Sequence, residues 1–145
     1  MGRRSRKYYK DRAERGTFAQ IPHAVLDCAG WRSLGGSAVK LICDLLRQYN
    51  GYNNGDLCVA WTKMECRGWK SRDTLTRALS ELRSSGLIEQ TRQGGKNRCS
   101  LYAFTWLPIQ DRAGKLDVAP TLRASGLWKL GPFPKKIAST DSGSE

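Results

Sequence analysis

Between residues 17 and 109, apolar and polar positions alternate in blocks whose periods predict short elements separated by turn residues. Ile21-Pro22 opens a first short helix running to about Cys28. Ser37 is the candidate N-cap of a strong amphipathic helix over 38–49. There Val39, Ile42, Leu45, Leu46 and Tyr49 recur at three- and four-residue steps and predict one buried face. The run NGYNNGD breaks this helix, and LCVA at 57–60 has the character of a short strand. Thr62 and Glu65 have the spacing of a capping box, and the helix they start is brief because Gly68 stops it within two turns. Ser71 caps the next helix, with Asp73 in its positive first turn. That helix, RDTLTRALSELRSS, sets Leu75, Ala78, Leu79 and Leu82 on one stripe and ends at Gly86. LIEQTR, the turn QGGKNR and CSLYAFTW then predict a two-stranded hairpin.

The flanks differ in character. Residues 1–16 hold seven basic and two acidic side chains, with Tyr8 and Tyr9 between them and no apolar periodicity, which predicts a flexible basic arm. From Gln110 to the end the composition thins through Pro120, Pro132 and Pro134, which predicts an irregular C-terminal tail whose polar end STDSGSE is disordered. The 145 residues therefore suit one domain, at 17–109, between an arm (1–16) and a tail (110–145). Two short helices separated by a tight turn, the second leading into a β-ribbon, predict an α+β fold of the winged helix-turn-helix type, a helical core with a small antiparallel sheet.

Charge sharpens this picture. The net charge is +12, so a polyanion is the natural partner. Residues 17–62 hold three basic and three acidic side chains, whereas residues 63–98 hold nine basic against four acidic, a net of +5. The domain's whole excess thus falls on the helix-turn-helix and the hairpin, where such a fold meets a duplex. On the candidate recognition helix Asp73, Thr76, Arg77 and Ser80 point away from the leucine stripe, and Arg72 flanks them. Arg77 has the fork to bond a guanine edge, and Thr76 and Ser80 can contact bases or phosphates; Lys70, Ser71 and Thr74 lie at the helix entry. Glu81 and Arg83 are expected to be plain surface. In the turn, Gly94 and Gly95 supply flexibility while Lys96, Asn97 and Arg98 follow a sugar-phosphate backbone or enter a minor groove. In the arm, Arg3, Arg4, Arg6 and Lys7 can lie along phosphates or reach a narrow minor groove. A phosphate-binding P-loop is not supported, because Gln90 and Asn97 replace its first glycine and its Ser or Thr.

Tyr102, Phe104 and Trp106 alternate along the last strand and are expected to form the buried face of the sheet rather than a base-stacking platform. Trp31, Trp61 and Trp69 sit beside helix boundaries as core or edge packing. Trp128 leaves two readings open: docking onto the core, or a short motif for a protein partner or second subunit. Cysteines 28, 43, 58, 66 and 99 are odd in number, contain no C-x-x-C pair and are accompanied by His23 alone, which argues against a disulfide framework or a zinc site and for reduced thiols in a cytoplasmic protein. No signal peptide or membrane-length run is visible. The single histidine and dispersed carboxylates suggest no catalysis, no metal and no cofactor.

The run IPHAVLDCAGWRSLGGSAVKLICDLLRQYNGYNNGDL, then SRDTLTRALSELRSSGLIEQTR, then YAFTWLP resembles small winged-helix proteins carried by bacterial phages, plasmids and integrated elements. It is also similar in layout to the DNA-binding part of O-type phage replication proteins and plasmid initiators. The likeness covers about residues 17–109 and implies that Ser71, Arg72, Thr74 and Arg77 approach DNA. Within these 145 residues no second domain or helicase-recruiting region of recognisable size is seen, an expectation that weighs against a replication role. The expectation is a nucleoid-associated bacterial binder of double-stranded DNA that regulates transcription of a mobile element. An origin-binding replication factor is the alternative, and an RNA or single-strand binder a weaker third. A homodimer stays open.

Overall fold

The computed structural model describes residues 16–134 of the chain. Helix α1 (His23–Asp27) starts after Pro22, whose ring suits the φ of −60° found there. It stops at Cys28, where the backbone becomes extended and the thiol sulfur accepts the Trp31 N–H at 3.3 Å. That side-chain cap begins a separate helix α2 (Ala29–Arg32), which the periodicity does not predict.

Helix α3 (Gly36–Gln48) buries Ala38, Leu41, Ile42, Leu45 and Leu46. Two expectations need correction here. Gly35, not Ser37, occupies the N-cap position, and its N–H is met by the Glu81 carboxylate at 2.6 Å. A contact across 46 residues therefore satisfies the N–H at the helix start, and Glu81 is not plain surface. The buried face is also rotated, so that Asp44 is buried while Val39 is only half-buried.

The loop after α3 is organised by its own amides. Asn50 Oδ1 accepts the Tyr52 N–H, Asn53 Oδ1 accepts the Asn50 N–H, and Asn53 Nδ2 donates to the Gln48 carbonyl. Strand β1 (Leu57–Cys58) is shorter than the expected four residues, because the chain turns at once into helix α4 (Trp61–Cys66). Ala60 is the N-cap of α4 and no side chain caps it, so Thr62 and Glu65 lie inside the helix and form no capping box. Gly68, at φ +94°, makes the turn out of α4 in a conformation that other residues rarely adopt. Helix α5 (Arg72–Ser85) begins as expected, with Ser71 Oγ accepting the Thr74 N–H, and ends at Gly86 with φ +82°.

Strands β2 (Ile88–Arg92) and β3 (Leu101–Phe104) form the expected hairpin, with Ile88 opposite Phe104 and a bulge between Gln90 and Arg92. β1 adds to the other edge of β3, with Leu57 opposite Tyr102, and the three-stranded antiparallel sheet has the order β1-β3-β2. The described residues are thus α+β, in an element order compatible with a winged helix-turn-helix.

Strand residues alternate between the two faces of a sheet, yet all four residues of β3 are buried. Tyr102 and Phe104 face the helical core with Leu41, Leu45, Met64, Leu82 and Leu87, and Trp106 stacks on Phe104 at 4.6 Å between ring centroids. The opposite face, with Leu101, Ala103 and Thr105, lies on the side of the segment after residue 109. That segment is irregular but attached. Asp117 N–H donates to the Thr91 carbonyl and Gly126 N–H to the Thr105 carbonyl, both at 2.9 Å. Arg112 and Lys115 clasp Asp56 at 3.1 and 2.7 Å. Gly55 sits beneath this segment at φ +109°, a conformation other residues rarely adopt, and a Cβ there would also press on Leu116 at 2.9 Å and Ile109 at 3.2 Å. Trp128, in a short 3-10 turn (Leu127–Lys129), is half-buried and packs against the helical core. The polar end STDSGSE lies outside the described residues.

Asn54 joins the loop to the sheet. It is fully buried, its Nδ2 faces the carbonyls of Phe104, Leu107 and Pro108, and its Oδ1 accepts the Phe104 N–H at 2.8 Å. Asn54→Ala leaves that N–H buried and unpaired and is expected to lower the unfolding free energy by about 2–4 kcal/mol. Urea denaturation checks this, and a loss under about 0.5 kcal/mol would contradict the assigned role.

Candidate nucleic-acid interface

The relative placement of α4 and α5 depends on how the turn between them is tied to α3. Asp44, on α3 and 4% exposed, accepts the Trp69 indole N–H at 2.7 Å, the Arg67 Nε–H at 3.1 Å and the Lys40 ammonium at 3.0 Å. Lys40 also donates to the Arg67 carbonyl at 2.8 Å. Arg67 and Trp69 flank Gly68, so the carboxylate grips the turn on both sides of its bend. Burial alone would raise the Asp44 pKa, but the Trp69, Lys40 and Arg67 donors outweigh it and hold the carboxyl below its ordinary value. Lys40 and Arg67 are therefore occupied in structure.

Helix α5 buries Leu75, Ala78, Leu82 and Ser85 and exposes Arg72, Asp73, Thr76, Arg77 and Ser80. The exposed set spans about 12 Å of helix at 1.5 Å per residue. Lys70 and Ser71 are exposed at its entry, while Thr74 is half-buried. Ser71 Oγ is engaged as the helix cap, and the Thr76 hydroxyl donates to the Arg72 carbonyl at 2.9 Å. The Arg72 guanidinium lies 5.3 Å from the Trp61 ring centroid, held over the indole by a cation–π contact. Arg77 approaches Asp73 at only 3.8 Å, with both side chains largely exposed, an i,i+4 pair of the weak kind.

In the hairpin, Gly95 and Arg98 bridge through paired backbone hydrogen bonds at 2.8 and 3.1 Å, leaving Lys96 and Asn97 at the tip. Lys96, Asn97 and Arg98 are all exposed. The left-handed residue of the turn is Asn97, at φ +59°, rather than a glycine. Gly94 serves a different need: a Cβ there would stand 2.6 Å from the Ser100 nitrogen. Arg98 pairs with Asp117 at 3.0 Å, and Asp117 also accepts the Gln93 N–H at 2.8 Å. One of the two expected wing cations is thus balanced by the C-terminal segment.

The structure brings Lys70, Ser71, Arg72, Asp73, Thr76, Arg77 and Ser80 onto the entry and open face of one helix, and Lys96, Asn97 and Arg98 onto one turn. Arg3, Arg4, Arg6 and Lys7 lie outside the described residues. Asp44, Trp61, Glu81 and Asp117 have positioning roles that periodicity does not reveal. Asp44 leaves a faint signal, lying at the edge of the apolar stripe four residues after Lys40. Asp117 leaves none, because its partner Arg98 is 19 residues away across irregular chain. Among the described residues no group of three or more His, Cys, Asp and Glu could hold a metal, and no helix is long and apolar enough to cross a membrane.

No family model, curated protein or solved structure matches this chain. The functional reading therefore rests on the chain's own residues.

Because the folded-state pKa of Asp44 is depressed, its contribution to stability is complete above the ordinary value of 3.8 and is lost as pH falls through the lower folded value. Urea unfolding should accordingly weaken below about pH 4, and Asp44→Asn should flatten that acid limb while costing about 2–3 kcal/mol at neutral pH. An unchanged acid limb in Asp44→Asn would remove Asp44 as its source.

Proposed function

We propose that this chain is a winged helix-turn-helix protein that binds double-stranded DNA sequence-specifically and regulates transcription. In this reading α4 and α5 are the helix-turn-helix pair, α5 enters the major groove and the β2–β3 hairpin is the wing. The observation that carries it is the placement of unspent cations. Residues 63–98 hold the domain's net positive charge, and three of their nine cations are engaged elsewhere: Arg67 by Asp44, Arg98 by Asp117 and Arg92 by the Cys99 carbonyl. Lys63, Lys70, Arg83 and Lys96 form no ion pair among the described residues, and Arg72 and Arg77 stand at the N-terminal half of α5. The strand order β1-β3-β2 and the helical succession support the same fold.

Roles follow from geometry. Arg77 has only a loose partner to leave and a planar fork suited to guanine O6 and N7. Arg72, set on Trp61, is suited to a phosphate beside the groove. Lys96 at the hairpin tip is the wing's phosphate contact, and Arg98 contributes less because Asp117 shares its charge.

Duplex binding should weaken steeply with salt, with log K falling by about 0.9 per log unit of salt for each phosphate neutralised. A flat titration, or no duplex binding at low salt, would overturn the proposal. Arg77→Ala should relax discrimination between sites by about 1–3 kcal/mol, whereas Lys96→Ala should weaken cognate and scrambled duplexes alike. Sites selected from random duplexes supply the cognate sequence. Equal losses on both duplexes for Arg77→Ala would take base reading away from that residue.

A further inference from the structure

The five cysteines, dispersed in sequence, do not stay apart in space. Cys58 Sγ on β1 lies 3.1 Å from Cys99 Sγ, across 41 residues of chain. Cys58 is buried and its sulfur accepts the Ala60 N–H at 3.3 Å, at the residue that starts α4. Cys99 is half-buried just before β3, and its sulfur faces an Arg92 guanidinium N–H at 3.6 Å. The same guanidinium holds the Cys99 carbonyl through Nε at 3.1 Å and Nη2 at 2.7 Å. No comparable approach involves Cys43 or Cys66, which are exposed on α3 and α4.

We propose that Cys58 and Cys99 form a reversible dithiol–disulfide site that staples β1 to the root of the hairpin when the protein meets a hydroperoxide. The sulfurs are about 1 Å farther apart than a disulfide bond, whose length is about 2.05 Å. The movement that closes this gap falls on Cys99, which lies outside the ladder and beside the bulge between Gln90 and Arg92. The two sulfurs divide the reaction by access. Cys99 as thiolate attacks one oxygen of hydrogen peroxide, the O–O bond breaks, and the departing hydroxide takes up the one proton that the Cys99 thiol gave up and leaves as water. Cys58 then attacks the resulting sulfenic sulfur, the S–O bond breaks, and the hydroxide takes the Cys58 proton and leaves as the second water. Two thiols are oxidised and one peroxide is reduced. Burial, the largest influence on Cys58, raises its pKa, which suits the resolving rather than the attacking role.

The staple would enclose α4, α5, β2 and the hairpin turn in one covalent loop, and Cys99 follows the turn that carries Lys96, Asn97 and Arg98 directly. Oxidation therefore locks the element assigned to DNA contact without adding a group to its surface. This site stands whether or not the chain binds DNA.

The test treats the full chain, and separately its Cys43→Ser/Cys66→Ser variant, with one equivalent of hydrogen peroxide, and then with excess dithiothreitol. The expected result in both proteins is a loss of two titratable thiols and a Cys58–Cys99 linked peptide by mass mapping. A melting temperature raised by about 5–15 °C is also expected, from the constrained unfolded state. All three changes should reverse with dithiothreitol. Cys99→Ser should stop at four unlinked thiols, and Cys58→Ser should trap Cys99 as a sulfenic acid captured by dimedone. Any other pairing, cross-linked dimers, or an unchanged thiol count in the Cys43→Ser/Cys66→Ser variant would overturn the proposal.

Discussion

One buried carboxylate governs how the helices of this protein meet. Asp44 cannot be placed in the core without partners, since burying a charge unpaired costs several kcal/mol. Its partners, Lys40, Arg67 and Trp69, come from α3 itself and from both sides of the bend between α4 and α5. Satisfying the charge thus fixes the turn against α3, and with it the direction in which α5 leaves. The apolar stripe of α5 then needs only to settle on α3 through Leu75, Ala78 and Leu82. Glu81 closes the arrangement from the other end by accepting the Gly35 N–H.

A second constraint operates at the sheet. Short strands gain stability by packing against other elements, and this sheet is covered on both faces. The helices bury one side, and the irregular segment through Ile109, Leu116 and Asp117 attaches along the other with ion pairs to Asp56 and backbone bonds to Thr91 and Thr105. The coverage has an electrostatic consequence, because the segment that protects the sheet also brings Asp117 to Arg98. The positive field of the hairpin turn is concentrated at Lys96 as a result.

Legibility in the sequence varied with the range of the interaction. The Ser71 cap and the Gly86 stop were readable because each is satisfied within a few residues of chain. Ser37 does not start α3, because Gly35 holds the N-cap position with its N–H met by distant Glu81, and the Thr62–Glu65 spacing forms no box because Ala60 starts α4. For the candidate site, periodicity placed Arg72, Asp73, Thr76, Arg77 and Ser80 on the open side of α5, and they are exposed. It could not distinguish Arg77, with a loose partner, from Arg98, which is held by Asp117.

The amino-acid sequence by itself determined the order of elements from α3 to the hairpin, the apolar stripe of α5 and the segregation of charge into residues 63–98. Those properties follow from spacing of a few residues along the backbone. The tertiary structure alone decided that Asp44 is a buried tie, that Cys58 and Cys99 meet, that Trp128 docks and that Asp117 balances a hairpin cation. Each of these joins residues from different elements or distant stretches of chain, and such pairings arise only once packing has chosen which surfaces touch.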